Sequence, residues 1–376
     1  MTVAALVLAA VALILVVWSY VVYPFVLRGL ARRAPARPSV PARRPSVQVL
    51  VCAFDEEASI APRVANLLAQ QYRGDLAVSV GCDGCRDQTA ARARAAGDDR
   101  VRVTEFAERR GKAAVLNELV RRSASEVLVF TDANSTFAPD AIARLVERFA
   151  DPAVGAVCGR LLLEPGNGTG SSPETEFWDR ETRLKEAEGK LGICLGANGA
   201  IYAARRELVR PLPAGTALDD FLIPARIAAD GHRVEFAGEA VARERAATDV
   251  AAEASRRLRI GIGAGGVLLR ERWLMDFRLR RRLALAFLSR KAARWLAPVF
   301  ALAALVLALF SPTLRPFAVA VVVALAILAA SVSLKPRLSG WPGRLYYFGV
   351  INLALASGVV AGLVGYRRPA WPRTAR

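Results

Sequence analysis

The sequence predicts an α/β domain built on a mostly parallel sheet, held between apolar helices at both ends of the chain. Three observations carry that prediction. From Ser46 onward, short apolar runs alternate with segments whose apolar residues recur at helical spacing, the pattern of a parallel sheet with helices on both faces. Asp83 and Asp132 stand just beyond two of those runs, where such sheets bind ligands. Long apolar stretches occupy both ends of the chain.

The chain has 376 residues, 54% of them hydrophobic, and a mean hydropathy of +0.29, too apolar for a wholly soluble protein. Residues 3–27 carry no charge, and at about 1.5 Å per residue they are long enough to cross roughly 30 Å of hydrocarbon. A secretory signal is the competing reading, but Met1-Thr2-Val3 has no basic start and the apolar run is too long. Residues 1–27 are therefore expected to be a transmembrane anchor. Residues 28–45 form a basic, proline-rich linker with six arginines between Arg28 and Arg44. By the positive-inside rule they keep the central block, 46–270, cytoplasmic.

Within that block the expected strands are Val47–Ala53, 76–82, 101–104 and 127–131, and the expected helices are 60–71, 87–96 and Lys112–Arg122. Residues 271–294 mix Arg and Lys with Leu, Ala and Phe, which suits an amphipathic helix in the membrane interface or a solvated basic connector. The region 295–376 holds apolar stretches at 295–310, 317–332 and 345–366, expected as about three transmembrane helices. Three such spans would put the arginine-rich tail outside, against the positive-inside rule, unless one of the stretches does not cross.

The net charge of +18 is compatible with nucleic acid. Arginines crowd beside the apolar segments, however, where anionic membrane lipid explains them more simply, and no recognition motif accompanies the charge; no nucleic acid is expected. Cys52, Cys82, Cys85, Cys158 and Cys194 all fall in the block assigned to the cytoplasm, where thiols stay reduced. Cys82 and Cys85 have zinc-ligand spacing, yet there is no second pair and His232 is the only histidine, so no structural zinc is expected.

Asp83 and Asp132 each have a plain alternative as turn or helix-cap residues; their joint placement at two strand ends favours a ligand site. Arg110-Gly111-Lys112-Ala113 is not a Walker A loop, and Gly261-Ile-Gly-Ala-Gly-Gly266 contains G-x-G-x-x-G after an arginine-rich helical stretch rather than a strand, so it is no dinucleotide fingerprint.

Read together, the segments between Val47 and Gly266 resemble the family 2 glycosyltransferases, membrane-anchored inverting enzymes of bacterial polysaccharide synthesis. Val51-Cys-Ala-Phe-Asp-Glu-Glu57 resembles the family's opening strand and acidic turn, with Cys52 where Pro is usual and Asp55 where Asn is usual; the resemblance gives Glu56 to the nucleotide. Asp83-Gly-Cys-Arg-Asp-Gln-Thr89 resembles the next element, whose aspartate contacts the nucleoside. Arg110-Gly-Lys-Ala-Ala-Val-Leu-Asn117 is similar to the glycine-lysine segment and places Lys112 near the nucleotide; a surface helix start is the other reading of that lysine. Thr131-Asp-Ala-Asn-Ser135 looks like the D-x-D element, so Asp132 and Asn134 are the expected ligands of a Mg2+ or Mn2+ that neutralises the diphosphate, with Asn134 bringing no charge.

Gly196-Ala-Asn-Gly-Ala200 resembles the lining of the sugar and acceptor side, which nominates Gly196, Asn198 and Gly199 for substrate. Leu218-Asp219-Asp220-Phe221 resembles the acidic pair: Asp220 the base, Asp219 on the substrate side or capping the following helix. Arg256-Arg-Leu-Arg-Ile260 stands where polymer-forming members carry Q-x-x-R-W; Arg259 matches the arginine that can hold a diphosphate, while Arg256 and Ile260 depart from the Gln and Trp.

The resemblance implies a glycosyltransferase A-type domain at the bacterial inner membrane. It would move a sugar from a nucleotide donor, most simply a UDP-sugar, to a lipid-linked or glycan acceptor. A processive polysaccharide synthase and a catalytically silent membrane scaffold are the alternatives.

Overall fold

A computed structural model of the chain describes residues 1–34, 44–164, 173–245, 250–334 and 341–366. The N-terminal apolar segment is one long helical rod, α1 (Thr2–Val17) and α2 (Tyr23–Arg32) joined by a π-helical turn, Trp18–Val22. The N-terminal helix therefore runs past Leu27 and takes in Arg28 and Arg32, residues expected in the linker; the rest of that linker lies largely outside the described residues.

The central block then alternates as its pattern demands: β1 (Val47–Ala53), α3 (Ile60–Leu68), β2 (Leu76–Asp83), α4 (Thr89–Ala95), β3 (Val101–Phe106), α5 (Lys112–Arg122) and β4 (Val127–Asp132). The four strands pair in parallel in the order β3-β2-β1-β4. All seven residues of β1 except Cys52 are buried, which is what a parallel strand covered on both faces requires. Val49 and Val51 pack with Ile60, Val64 and Leu67 on one face, while Leu50 joins Leu116, Leu119 and Phe130 on the other.

Beyond β4 the sheet turns mixed. The chain continues through β5 (Thr136–Phe137), α6 (Ala141–Val146), β6 (Val154–Glu164), α7 (Pro173–Lys190), β7 (Tyr202–Arg205), α8 (Asp219–Ala229) and β8 (Arg233–Arg245). The full sheet has eight strands, with β7 inserted antiparallel between β4 and β6 and with β5 antiparallel on β8. That insertion carries the chain from Ile193 to Ala200 past the end of β4, opposite Asp132.

The remaining helices are α9 (Val250–Arg270), α10 (Phe277–Ala286), α11 (Ala293–Leu309), α12 (Arg315–Leu334) and α13 (Trp341–Leu363). Among the described residues three helices are long and apolar enough to cross a membrane: Thr2–Arg32, Arg280–Leu309 and Gly343–Leu363. The stretch expected over 317–332 falls in α12, a 20-residue helix. The tail arginines lie outside the described residues.

The glycine-rich run of α9 has a structural use. Gly261 and Gly265 face Gly358 and Gly362 of α13, and a Cβ on any of the four would stand 2.2–2.4 Å from a carbonyl oxygen of the opposing helix. Small residues four apart on both partners let two helix backbones touch. The G-x-G-x-x-G string is thus a helix-crossing seam, and it fixes α9 against the apolar bundle.

The stretch expected as an interface helix or basic connector, 271–294, has two parts. α10 runs through a π-helical turn, Phe287–Ala292, into α11. Arg278, Arg280, Arg281 and Arg282 of α10 are exposed, whereas two cations further along turn inward: Arg290 is fully buried between Glu181 and Glu188 of α7, and Arg294 bonds Glu181 at 2.8 Å. Two buried carboxylates on one helix demand cations, and this turn supplies them.

Candidate active site

The ends of β1, β2 and β4, the 193–200 passage, the start of α8 and one face of α9 open onto a single cavity of about 2130 Å³. Glu56, Asp83, Lys112, Asp132, Asn134, Gly196, Asn198, Gly199, Asp219, Asp220 and Arg259 all line it, so the residues nominated from sequence come together in one place.

On the nucleotide side, Asp83 ends β2 and its two carboxylate oxygens accept the backbone N–H groups of Arg110 and Gly111, at 2.6 and 2.9 Å. It thereby ties the glycine-lysine segment to the strand end, and each oxygen keeps a second lone pair for a donor group. Gly84, next along, has φ +66, and a Cβ there would stand 2.8 Å from the Arg109 nitrogen, so the turn needs glycine. Glu56 is held in the acidic turn: its N–H donates to Thr89 Oγ1 at 2.8 Å and its carboxylate accepts from Ser59. The Arg109 guanidinium lies 3.5 Å from the Phe54 ring centroid and adds a flat cationic plate to this wall, a feature the sequence reading missed.

At the centre Lys112 is no solvated helix start. Its Nζ reaches Asp132 Oδ1 at 3.0 Å and Asp219 Oδ2 at 3.3 Å, joining the end of β4 to the start of α8. Burial alone would pull the ammonium down, but Asp132 and Asp219 more than offset it and hold the lysine well above its usual range. Asp132 Oδ2 faces Gly199, where a Cβ would come within 2.9 Å; a side chain there would press on the carboxylate.

Asn134 lines the same wall, and Glu244, at the end of β8, accepts a hydrogen bond from Ser135 Oγ at 3.3 Å. No residue spacing in the sequence pointed to Glu244. Among the described residues the one cluster of three metal-type side chains is Asp55, Cys85 and Asp87, and it does not include Asp132. Asp132 nevertheless fits a divalent ion of the kind held by one or two carboxylates with substrate phosphates supplying the other oxygens: it is partly exposed to the cavity and has a neutral amide oxygen beside it.

The acidic pair separates into a fixed and a free member. Asp219 is buried and does not cap α8; it accepts from Lys112 and, at 3.4 Å, from the hydroxyl of Tyr202, which stacks on Phe130 with ring centroids 4.6 Å apart. Burial and the charges of Asp219 and Asp220 hold the Tyr202 phenol well above its usual range, so it stays a donor. The Asp220 carboxylate makes no hydrogen bond or ion pair among the described residues. Burial, then the Asp219 charge, pushes it up to about 6, against the opposing pull of Lys112, Lys291 and Lys185. Its carbonyl accepts from the Ala197 N–H at 2.9 Å, which ties α8 to the 193–200 passage.

Asn198 is spent on that passage: its amide donates to Gly159 O and its oxygen accepts from Ile201 N, so it shapes the wall rather than pointing a free group at a ligand. On α9, Arg256 and Arg257 pair with the buried Glu253, whereas Arg259 has no such partner among the described residues and faces the cavity. Burial, then Arg256, pulls its pKa down while Asp132, Asp219 and Asp220 pull it up.

Comparisons with known proteins agree with this geometry. The model of the "Glycosyltransferase like family 2" matches residues 45–263, more than half of the chain. An N-acetylglucosaminyltransferase of Azorhizobium caulinodans is 27% identical over 195 residues, covering 50% of this chain and 49% of that protein. One of Rhizobium leguminosarum bv. viciae is 27% identical over 216 residues, covering 53% and 50%. The chain thus spans about half the length of these curated relatives. Among solved structures, a mannosyltransferase from Pyrobaculum calidifontis in complex with GDP-Man and Mn2+ superposes with a TM-score of 0.65 at 26% identity, over 95% of this chain and 99% of that one.

Proposed function

This chain belongs to the glycosyltransferase-like family 2, and from that premise we propose that it transfers a sugar from a nucleoside diphosphate donor to a hydroxyl acceptor, with inversion, at the cytoplasmic face of the membrane. The observation that carries the reading is the split acidic pair: one aspartate is locked to Lys112 and Tyr202, and its neighbour is free, facing the cavity, with a carboxyl raised to about 6. A general base works best near the operating pH, and a carboxylate without partners can accept a proton.

The donor nucleoside lies along Glu56, Asp83 and the Arg109–Phe54 plate, and its diphosphate lies between Asp132 and Arg259. Asp132 and Asn134 would hold a divalent ion, which would supply charge neutralisation for the departing diphosphate; the Mn2+ in the Pyrobaculum neighbour supports such an ion. Lys112 keeps Asp132 and Asp219 apart from mutual repulsion. Asp220 takes the proton from the acceptor hydroxyl as that oxygen attacks the anomeric carbon. The bond from that carbon to the diphosphate oxygen breaks, its electron pair leaves with the diphosphate, and Arg259 neutralises the charge that develops. Attack opposite the leaving group inverts the centre.

We propose a UDP-sugar as donor, a lipid-linked or glycan acceptor, and the bacterial inner membrane as the location, with three helices long enough to hold the enzyme there. A panel of UDP- and GDP-sugars, incubated with the full-length protein and Mg2+ or Mn2+, tests this by release of nucleoside diphosphate. Release from one donor, dependent on the ion, is the expected result; none from any donor would favour a silent scaffold.

A further inference from the structure

The cavity does not end at Asp220. It continues from the polar end between α1, α11 and α12, past Leu6, Leu13, Leu302, Leu305 and Phe317. At the junction of the polar and apolar parts stands Lys291, on the π-helical turn between α10 and α11, a local widening frequent at functional sites. Its Nζ is 3.0 Å from where a Cβ on Gly196 would lie and 5.9 Å from the centroid of Phe221, so it is next to both neighbours of the free aspartate's anchoring contact.

The other cations of this turn are consumed. Arg290 is locked between Glu181 and Glu188, and Arg294 is held by Glu181. Lys291 makes no ion pair or hydrogen bond among the described residues, and it lines the cavity. An ammonium taken out of bulk water without a partner is costly. An intramembrane ionisable residue facing a cavity therefore points to a ligand of opposite charge.

We propose that Lys291 seats an anionic group of the acceptor, and that the acceptor is a lipid-linked phosphate whose chain lies along α1, α11 and α12 while its hydroxyl reaches Asp220. The inference rests on the transferase reading above and specifies its substrate. The phosphate is not the nucleophile; a free base beside it is needed for a hydroxyl, not for an ionised oxygen.

The test uses the full-length enzyme in detergent, with the donor found in the panel and two synthetic acceptors that carry the same glycoside and the same long alkyl chain, joined in one case by a phosphodiester and in the other by an ether. The wild-type KM for the phosphodiester acceptor is expected to be lower by about tenfold or more, the size of one charge-assisted hydrogen bond. Lys291→Met removes that advantage and Lys291→Arg keeps it; shortening the alkyl chain raises KM for both acceptors.

Equal KM values in the wild type, an advantage that survives Lys291→Met, or indifference to chain length would overturn the inference. If Lys291 only tunes Asp220, Lys291→Met alters kcat and its pH profile equally for both acceptors and leaves their KM ratio unchanged, which also overturns it. Turnover of both acceptors without preference leaves the transferase reading intact, whereas absence of nucleotide release with either removes that reading and this one together.

Discussion

The two walls of the cavity are built on different principles. The wall proposed to hold the donor comes from consecutive parallel strands, and its charges are settled among themselves: Asp83 on two backbone N–H groups, Lys112 on Asp132 and Asp219. The wall proposed to face the acceptor is assembled from α7, α8, α9 and the turn before α11, far apart in the chain, and three of its charged groups, Asp220, Arg259 and Lys291, make no hydrogen bond or ion pair among the described residues. The contrast separates holding from reacting. A preorganised binding wall satisfies its own groups, while groups that must move a proton or neutralise new charge are left open at an energetic cost met elsewhere in the fold.

The largest expected effect falls on the open wall. Asp220→Asn keeps the shape and removes the base, and transfer is expected to drop roughly 10²- to 10⁴-fold, measured as labelled sugar incorporated. Next is the support beneath that wall: Arg290→Met leaves Glu188 buried without its cation and Glu181 with Arg294 alone, and should cost about 3–5 kcal/mol, seen as lowered thermal stability in detergent.

The acid limb of the pH profile gives a smaller, signed test. With Asp220 as the proposed base, transfer needs its ionised form, so the rate is expected to be full above and to fall as pH drops through about 6. Lys112 pulls that carboxyl down, so Lys112→Met should move the limb to higher pH as well as slowing the reaction. A limb that stays in place would mean that Lys112 serves the donor wall alone. The smallest effect belongs to the metal: Asn134→Asp restores a second carboxylate and should lower the Mn2+ concentration needed for half activity by about tenfold, since affinity follows ligand charge count.

The donor wall was legible in the sequence because parallel strands advertise themselves. β1 matches its expected bounds, and Asp83 and Asp132, expected just beyond their strands, are the terminal residues of β2 and β4. The acceptor wall was legible only through family resemblance, since its partners lie so far apart: Glu181 meets Arg290 across 109 positions, and Tyr202 meets Asp219 from another element. One local signal existed, the charges of Arg290, Lys291 and Arg294 inside an apolar stretch, which mark a functional or paired group more strongly than an interface helix. The glycine run of α9 was rightly set aside as a dinucleotide motif, but its match in spacing to Gly358 and Gly362 shows only when the two helices are compared.

The most direct test of the division into walls measures nucleotide binding rather than turnover. With the nucleoside diphosphate released in the donor panel and Mn2+, calorimetry on Asp132→Asn should show lost affinity, whereas Asp220→Asn should bind as tightly as the wild type while failing to transfer. If Asp220→Asn loses nucleotide affinity as Asp132→Asn does, the free aspartate belongs to the donor wall and the account of a separate base is wrong.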